Sequence, residues 1–309
     1  DFLGDWLWPG AQGVNGDTRE TLFYNNCYWI FNLQTAADIA DVIGKTDEAK
    51  AYRTRADEVR RAVHSEFFIP GLNSYVNGFQ AYLAIALLVN LPPQEVRPAI
   101  ERRLEEEILI RRKGHIHAGI TGGAFLFKTL LALDRQDLIY TMANKTTYPG
   151  WGDMLRTGAT TMYEAWDMDN SLCHSSYLYV GTWFIEGLAG IQSDLRSPGF
   201  QRFILKPGIV DDPSLTWVKA HHDSLYGRIV SDWKIDDAGV LAWKIAVPPN
   251  TTATAILPTV DDKTVTESGR PLAGVEGVKT LGVHPGQVTL EVQPGVYEFR
   301  SAVSLQRKL

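Results

Sequence analysis

The sequence predicts a helical part over residues 1–197, followed by an antiparallel β-sandwich over residues 198–309. Two observations support this order. Apolar residues recur at three- and four-residue spacing in the first part, and they alternate with polar residues in the second. The change of pattern falls at the Ser-Pro-Gly sequence of residues 197–199, which favours a turn. We therefore place a domain boundary between Ser197 and Pro198.

Short loops between the helical segments predict antiparallel helical hairpins. Gly44 is typical of a helix C-terminus, and Asp47 and Glu48 are favoured at the positive end of the helix that follows. The helices are expected, in order, at about residues 24–43, 47–63, 79–89, 92–113 and 122–133, in a short segment after residue 137, and at about residues 174–188.

Helical hairpins of this kind form a bundle, a solenoid or an α/α toroid. No repeat of fixed length is visible, which disfavours the solenoid. Aromatic, histidine and acidic residues concentrate in three loop regions, residues 1–20, 114–121 and 145–173. Loops gathered at one end of a helical ring would form a single site, so this distribution favours the toroid.

The second part alternates as the strands of a half-buried sheet do. Leu241, Trp243 and Ile245 share one face of a predicted strand, and Val288 and Leu290 share one face of another. Turn sequences at residues 236–239 and 248–250 separate such strands and indicate stacked antiparallel sheets. Acidic residues are not clustered here, so we expect a structural or sugar-binding role.

Composition and motifs exclude several classes of function. The formal net charge is −6 and no Lys/Arg-rich run is present, so no nucleic-acid partner is expected. No apolar run approaches the roughly 18–20 residues of a membrane span. Phosphate-binding glycine loops and His-Glu-x-x-His are missing, so no cofactor or metal is expected. The chain does not begin with Met, and we expect it to be part of a longer polypeptide whose compartment the sequence does not indicate.

The first candidate catalytic residue is Glu164, which stands between Tyr163 and Trp166 in a stretch rich in small residues. A carboxylate among aromatic rings is partly desolvated, which is the environment of a general base or acid. The alternative is a structural glutamate that accepts hydrogen bonds from loop amides in a buried turn.

The run Gly-Ala-Thr-Thr-Met-Tyr-Glu-Ala-Trp (residues 158–166), followed by Ser-Leu-Cys-His (171–174), resembles the glutamate motif of the inverting α-L-rhamnosidase family of glycoside hydrolases. Gly-Asp-Trp (4–6), His-Ala-Gly (117–119) and Pro-Gly-Phe (198–200) resemble further family segments in the same order. The resemblance implies about half of the twelve helices of an (α/α)6 toroid, followed by the family's C-terminal β domain.

By this resemblance the protein hydrolyses terminal α-L-rhamnosyl linkages of glycosides or polysaccharides with inversion, and Glu164 is the general base. The family's general acid segment is not found in residues 1–20, so we expect it in a part of the polypeptide N-terminal to this chain. Asp5, Asp17 and Glu20 are the clustered loop carboxylates that could substitute. The chain departs from the family at Cys173, where Asn is common.

Recognition of rhamnose, a neutral sugar with a methyl group, needs aromatic faces and hydrogen-bond donors. Trp6, Trp151 and Trp166 are candidates for stacking, with core packing as the alternative. His174 is a candidate partner for a sugar hydroxyl, or else the cap of its own helix.

Two further polar residues each allow a functional and a structural interpretation. Asp5, within the Gly-Asp-Trp segment, is a candidate substrate-binding residue or an ordinary capping or turn aspartate. His117, two residues after His115, is a candidate substrate-binding residue; His-x-His can bind zinc, but no third ligand follows, so a loop or core histidine is favoured. Residues 167–170 resemble the start of a calcium loop but lack its glycine and terminal glutamate.

Three alternative functions stay open at the level of the sequence. Another α/α-toroid glycosidase would share the fold, and a carbohydrate-binding or scaffold protein would share it with a degenerate site. A polysaccharide lyase would need a Tyr/His pair with a basic cluster for uronate, and neither is evident in the sequence.

Overall fold

The computed structural model describes residues 3–11, 16, 18–168 and 170–305, so Asp17 and Asp169 lie outside the described residues. The chain divides into two compact units, Asp1–Val180 and Gly181–Leu309. This division lies N-terminal to the Ser197–Pro198 boundary suggested by the turn sequence. The reason is that a strand beginning at Ile191 pairs with residues 203–205, so the Ser-Pro-Gly turn lies inside the second unit.

The first unit is mainly helical. Its described helices are α1 (Arg19–Val42), α2 (Thr46–Phe67), α3 (Gln80–Leu88), α4 (Arg97–Glu106), α5 (Ile120–Ala132), α6 (Gln136–Ala143) and α7 (Trp151–Arg156). A π-helical turn, Glu107–Arg111, extends α4. Strands β1 (Phe68–Ile69) and β2 (Ser74–Tyr75) form a short antiparallel hairpin.

Helix α3 lies at the centre of this unit. Every residue from Gln80 to Leu87 is buried, which agrees with a helix that is apolar on all sides. Helix α2 is instead amphipathic: Ala56, Val59 and Val63 are buried at three- and four-residue spacing, and its remaining surface is largely exposed. Helices α1, α4 and α5 therefore pack against α3, whereas α2 packs with its apolar face on α1.

Helix α1 differs from its predicted pattern because it is apolar on two faces. Phe23, Tyr24 and Cys27 are buried, whereas Ile39 and Val42, which the spacing places on the core face, are more than half exposed. The three- to four-residue spacing does not distinguish a face covered by this chain from a face that it leaves open. The predicted helix over 174–188 is also wrong at its start, since helical structure begins at α8 (Val180–Thr182) and continues as a π-helical segment, Trp183–Leu188.

The second unit contains two sheets. Its strands are β3 (Ile191–Ser193), β4 (Arg202–Leu205), β5 (Trp217–Ser224), β6 (Gly227–Ile235), β7 (Val240–Val247), β8 (Thr252–Pro258), β9 (Thr266–Glu267), β10 (Arg270–Pro271), β11 (Val278–His284), β12 (Gln287–Val292) and β13 (Gly295–Ala302). The strand order is β10-β9-β13-β7-β6-β5 in the six-stranded sheet and β11-β12-β8-β4-β3 in the five-stranded sheet. Neighbours in the described part are antiparallel apart from β4 and β8, which run parallel.

Alternation of apolar residues builds the core of this unit. Trp233 and Trp243, opposite each other on β6 and β7, are almost fully buried with Phe299 and Leu290 from other strands. The Trp243 indole N–H donates to the Ser231 hydroxyl (3.0 Å), which donates to the Ala189 carbonyl (2.6 Å). The core thus includes a short polar chain in which each donor has an acceptor.

In the described part of the chain, no helix combines the length and apolar character needed to cross a bilayer.

We expect Ser231→Ala to lower the free energy of unfolding by about 1–3 kcal/mol, because it leaves the Trp243 indole N–H without its acceptor in the core. Urea denaturation followed by tryptophan fluorescence measures this effect. Ser304→Ala, at an exposed serine, is the matched control and should change the stability little. Equal stabilities for the two variants would contradict a structural role for this hydrogen bond.

Candidate functional site

Asp5 joins the N-terminal segment to the start of α5. Its Oδ2 accepts a hydrogen bond from the Gly119 amide (2.7 Å), and its Oδ1 accepts one from the Gly122 amide (2.7 Å). The Ile120 amide donates to the Trp6 carbonyl (2.7 Å). The first amides of a helix lack partners within the helix, so residues 5 and 6 supply the acceptors that α5 needs.

This contact requires glycine at two positions. A Cβ at Gly119 would lie 1.8 Å from the Trp6 carbonyl oxygen, and a Cβ at Gly122 would lie 2.3 Å from Asp5 Oδ2. The Asp5 side chain is buried, with 3% of the residue exposed. Burial raises the pKa of Asp5 to about 6, although the amide hydrogen bonds from Gly119, Gly122 and Trp6 act in the opposite direction.

Residues 161–174, here named the glutamate loop, carry Glu164. Two backbone hydrogen bonds close the loop, from the Glu164 amide to the Ser171 carbonyl (2.9 Å) and from the His174 amide to the Met162 carbonyl (2.8 Å). The Thr161 hydroxyl donates to the Leu172 carbonyl (2.6 Å). These bonds hold the two ends of the loop side by side, with Glu164 on one arm and His174 at the end of the other.

The Glu164 carboxylate is partly exposed, with 27% of its side chain accessible. Its Oε2 accepts a hydrogen bond from the Ser171 amide (3.2 Å) and lies 3.8 Å from His174 Nδ1. Among the residues that the structure describes, Oε1 has no hydrogen-bond donor. One oxygen is therefore held by the loop, and the other can accept a proton from a bound molecule.

Two aromatic rings from outside the glutamate loop pack against its Trp166. Trp166 is stacked on Tyr177 with ring centroids 4.0 Å apart, and it meets Trp151 edge to face at 5.3 Å. The Trp166 indole N–H donates to the Ala118 carbonyl (2.9 Å), and the Trp151 indole N–H donates to the Tyr177 carbonyl (3.1 Å). The two tryptophans are buried, so their rings and donors bind parts of the protein together.

The remaining candidates lie in different surroundings. Trp6 is half-buried and follows Asp5 directly. His117 packs edge to face against Phe79 at 4.8 Å, and its Nδ1 is buried without a hydrogen-bond partner among the described residues. Burial lowers the pKa of His117 to about 4, helped by the nearby Arg112 guanidinium, so the ring is neutral near pH 7.

Hydrogen bonds connect three of the candidates, Asp5, Trp6 and Trp166, to the loop before α5 and to its first turn. Asp5 and Trp6 bind the start of α5, and Trp166 binds the Ala118 carbonyl just before that helix. Glu164 and His174 meet within the glutamate loop. Glu20 lies in the first turn of α1 instead, and the assignment of substrate contacts to any of these side chains stays a prediction.

Sequence reasoning missed two residues that shape this site. Tyr177 supports Trp166 and donates its hydroxyl hydrogen to the Leu7 carbonyl (2.8 Å), and Ser171 supplies the amide that holds Glu164. Tyr177 was hidden inside the predicted helix over 174–188. The turn-forming residues at 167–170 are the signal that could have indicated a closed loop with Ser171 opposite Glu164.

No group of three or more His, Cys, Asp or Glu side chains is placed to bind a metal ion in the ranges that the structure describes. His115, the other histidine of the His-x-His sequence, has hydrogen-bond partners at both ring nitrogens. Its Nδ1 lies 3.0 Å from the Arg112 carbonyl, and its Nε2 lies 2.8 Å from the Thr147 hydroxyl.

Comparison with protein families gives two matches along the chain. Residues 1–188, more than half of the chain, match the bacterial alpha-L-rhamnosidase 6 hairpin glycosidase domain. Residues 190–271 match the bacterial alpha-L-rhamnosidase C-terminal domain. The two matches meet near the start of β3, where the second unit begins its sheets.

The curated relatives and solved structures that match the chain are named α-L-rhamnosidases. An α-L-rhamnosidase of Formosa agariphila is 28% identical in an alignment that covers 98% of this chain and 33% of the relative. An α-L-rhamnosidase of Alteromonas sp. (strain LOR) is 28% identical over 83% of this chain and 29% of its own length. The chain thus spans about a third of the length of these curated relatives.

Two solved structures share the fold over most of the chain. The α-L-rhamnosidase of Dictyoglumus thermophilum superposes with a TM-score of 0.83 at 24% identity, covering 96% of this chain and 33% of that one. The Streptomyces avermitilis α-L-rhamnosidase, solved in complex with L-rhamnose, gives the same TM-score and identity over 96% of this chain and 28% of that one. The partial six-hairpin toroid and the β domain are thereby confirmed.

The buried Asp5 carboxyl predicts a specific dependence of stability on pH. In the unfolded chain this carboxyl loses its proton near pH 4, whereas in the folded protein it does so near pH 6. As pH rises from 4 to 7, the advantage in unfolding free energy of the wild type over Asp5→Asn should therefore decrease, by on the order of 3 kcal/mol.

Urea denaturation across this pH range measures the difference between the two proteins. Asp211→Asn, at an exposed aspartate, controls for general effects of pH. A difference that grew with pH would mean that the amide hydrogen bonds outweigh burial and favour the charged form of Asp5.

Proposed function

We propose that the protein containing this chain, which belongs to the bacterial α-L-rhamnosidase family, hydrolyses terminal α-L-rhamnosyl linkages with inversion of configuration. The observation that carries this proposal is the Glu164 carboxylate, one oxygen of which is held by the Ser171 amide while the other has no donor among the described residues. The Streptomyces avermitilis relative was solved with L-rhamnose, which supports the substrate class.

In this mechanism Glu164 is the general base. It accepts a proton from a water molecule as the water oxygen forms a bond to the anomeric carbon on the face opposite the leaving group. The bond between the anomeric carbon and the glycosidic oxygen breaks, and a carboxylic acid protonates that oxygen. The Ser171 amide fixes the orientation of the carboxylate, which favours a single geometry for proton transfer.

The general acid is proposed to lie N-terminal to this chain. Of the loop carboxylates that could substitute, Asp5 has both oxygens occupied by backbone amides. An inverting pair needs its carboxyl groups roughly 6.5–9.5 Å apart, with the acid free to reach the leaving oxygen. Asp5 is better suited to hold the loop at residues 117–119 in place than to donate a proton to a leaving group.

Substrate recognition is proposed to use the polar residues that border Glu164. His174 lies 3.8 Å from the Glu164 carboxylate and is partly exposed, so it can bind a sugar hydroxyl near the reacting carbon. His117 is partly exposed and neutral, so it stays a candidate for a sugar contact, although its Nδ1 is buried. Trp6 is the half-buried candidate for stacking, whereas one face of Trp166 is covered by Tyr177.

The rest of the toroid is proposed to come from sequence N-terminal to this chain. Two observations support this view. The chain spans about a third of the length of its curated relatives, and α1 leaves large apolar side chains exposed, among them Trp29, Ile39 and Val42. Further helices packed on this face would remove that apolar surface from water.

We expect Glu164→Gln to lower kcat on p-nitrophenyl α-L-rhamnoside by about 10²–10⁴-fold, the range typical of a lost acid–base group. Binding of L-rhamnose should change little, because the amide keeps the shape of the carboxylate and can still accept the Ser171 hydrogen bond. Steady-state kinetics and calorimetric binding of L-rhamnose, measured with the protein that contains this chain, test both expectations.

Glu95→Gln is the matched control, because it makes the same chemical change at an exposed loop glutamate and should retain wild-type turnover. Unchanged turnover in Glu164→Gln would remove this residue from the mechanism. If the wild-type protein bound L-rhamnose but hydrolysed no rhamnoside, the alternative of a carbohydrate-binding or scaffold protein would replace the enzyme.

A further inference from the structure

The six-stranded sheet of the second unit carries a groove that the proposed chemistry does not use. Its volume is about 390 Å³, and it crosses the sheet from the edge strand β5 to β13. Four strands span about 14 Å at the usual spacing, a length that suits a short oligosaccharide. Trp217 stands at one end of the groove with 59% of its surface exposed.

An exposed tryptophan at this position offers a flat apolar platform. Trp217 begins β5, and its direct neighbour on β6 is Lys234. The next residue in this row, Ala242 on β7, is small and leaves a depression between longer side chains. An indole beside a shallow floor fits a sugar ring, whose C–H face packs on the aromatic face while its edges stay polar.

Charges along the groove follow a second row of paired residues. Lys219, Asp232, Lys244 and Glu298 lie opposite one another across β5, β6, β7 and β13. Asp232 therefore has a lysine on either side. Glu298 also forms an ion pair with Arg300, two residues further along β13, at 3.0 Å.

The groove is lined by three lysines and two acids, which leaves positive charge beside the indole. Lys234 forms no ion pair within 4.0 Å among the described residues, and it faces Trp217 across the strand pair. The whole chain has a net charge of −6, so this lysine-rich groove differs in sign from the rest of the molecule. Charge complementarity thus selects an anionic ligand.

We propose that this groove binds an acidic oligosaccharide, with one uronate ring stacked on Trp217 and its carboxylate paired with Lys234. The site would hold a charged polysaccharide that carries the substrate linkages, independently of the chemistry at Glu164. A neutral sugar would use the platform but not the charge, and binding should therefore distinguish the two.

The test uses the protein that contains this chain, with oligogalacturonate as the charged probe and the same oligomer reduced at its carboxyl groups as the neutral probe. Calorimetry at low salt should detect the charged oligomer with at least about fivefold higher affinity. High salt should abolish this preference, because exposed charges are screened.

Two variants locate the site. Trp217→Ala should weaken binding of the charged oligomer about tenfold, with partial recovery in Trp217→Tyr, and Lys234→Gln should weaken it about threefold. Lys263→Gln removes the same charge from an exposed lysine that does not line the groove and should bind like the wild type. Hydrolysis of p-nitrophenyl α-L-rhamnoside should be unchanged in all of these variants.

Three results would overturn the proposal: no binding of the charged oligomer by the wild type, equal binding of the charged and the neutral oligomer, or wild-type binding in a folded Trp217→Ala protein. Hydrolysis of the small chromogenic substrate tests Glu164 and does not involve the groove. Absence of oligosaccharide binding would therefore leave the proposed hydrolysis intact, and absence of hydrolysis would leave the proposed groove intact.

Discussion

The first unit depends on one buried carboxylate. Asp5 accepts hydrogen bonds from two amides at the start of α5, and the carbonyl of the next residue accepts a third. A helix N-terminus carries partial positive charge and unpaired donors, so a carboxylate there satisfies both. These bonds fix the N-terminal segment against the loop at residues 117–119, and the approach is close enough that only glycine is tolerated at Gly119 and Gly122.

The glutamate loop is supported from that same loop. The Ala118 carbonyl, next to the amide that Asp5 binds, accepts the indole hydrogen of Trp166, and Trp166 follows Glu164 by two residues. Trp151 and Tyr177 pack around this indole. The position of the proposed base thus rests on a continuous set of hydrogen bonds and ring contacts that starts at Asp5, and aromatic side chains in this site serve as its support.

The two units bury their apolar side chains in different ways. In the second unit, two sheets cover each other, and strict alternation along β6 and β7 places Trp233 and Trp243 in the core. In the first unit, α3 is covered on all sides, whereas α1 keeps apolar side chains in water. The outer face of the six-stranded sheet carries Trp217 and its lysines, which take no part in the packing of the two sheets.

The sequence by itself determined the order of helices and strands, because hydrophobic period is a local property of the chain, and its glutamate motif was sufficient to indicate the family. It did not determine where helix α8 begins, since Tyr177 leaves the helical pattern to pack on Trp166. Nor could spacing reveal that Asp5 meets Gly122 or that Ser171 holds Glu164. Those contacts join residues from different turns and loops, and only the tertiary structure decides which donor finds which acceptor.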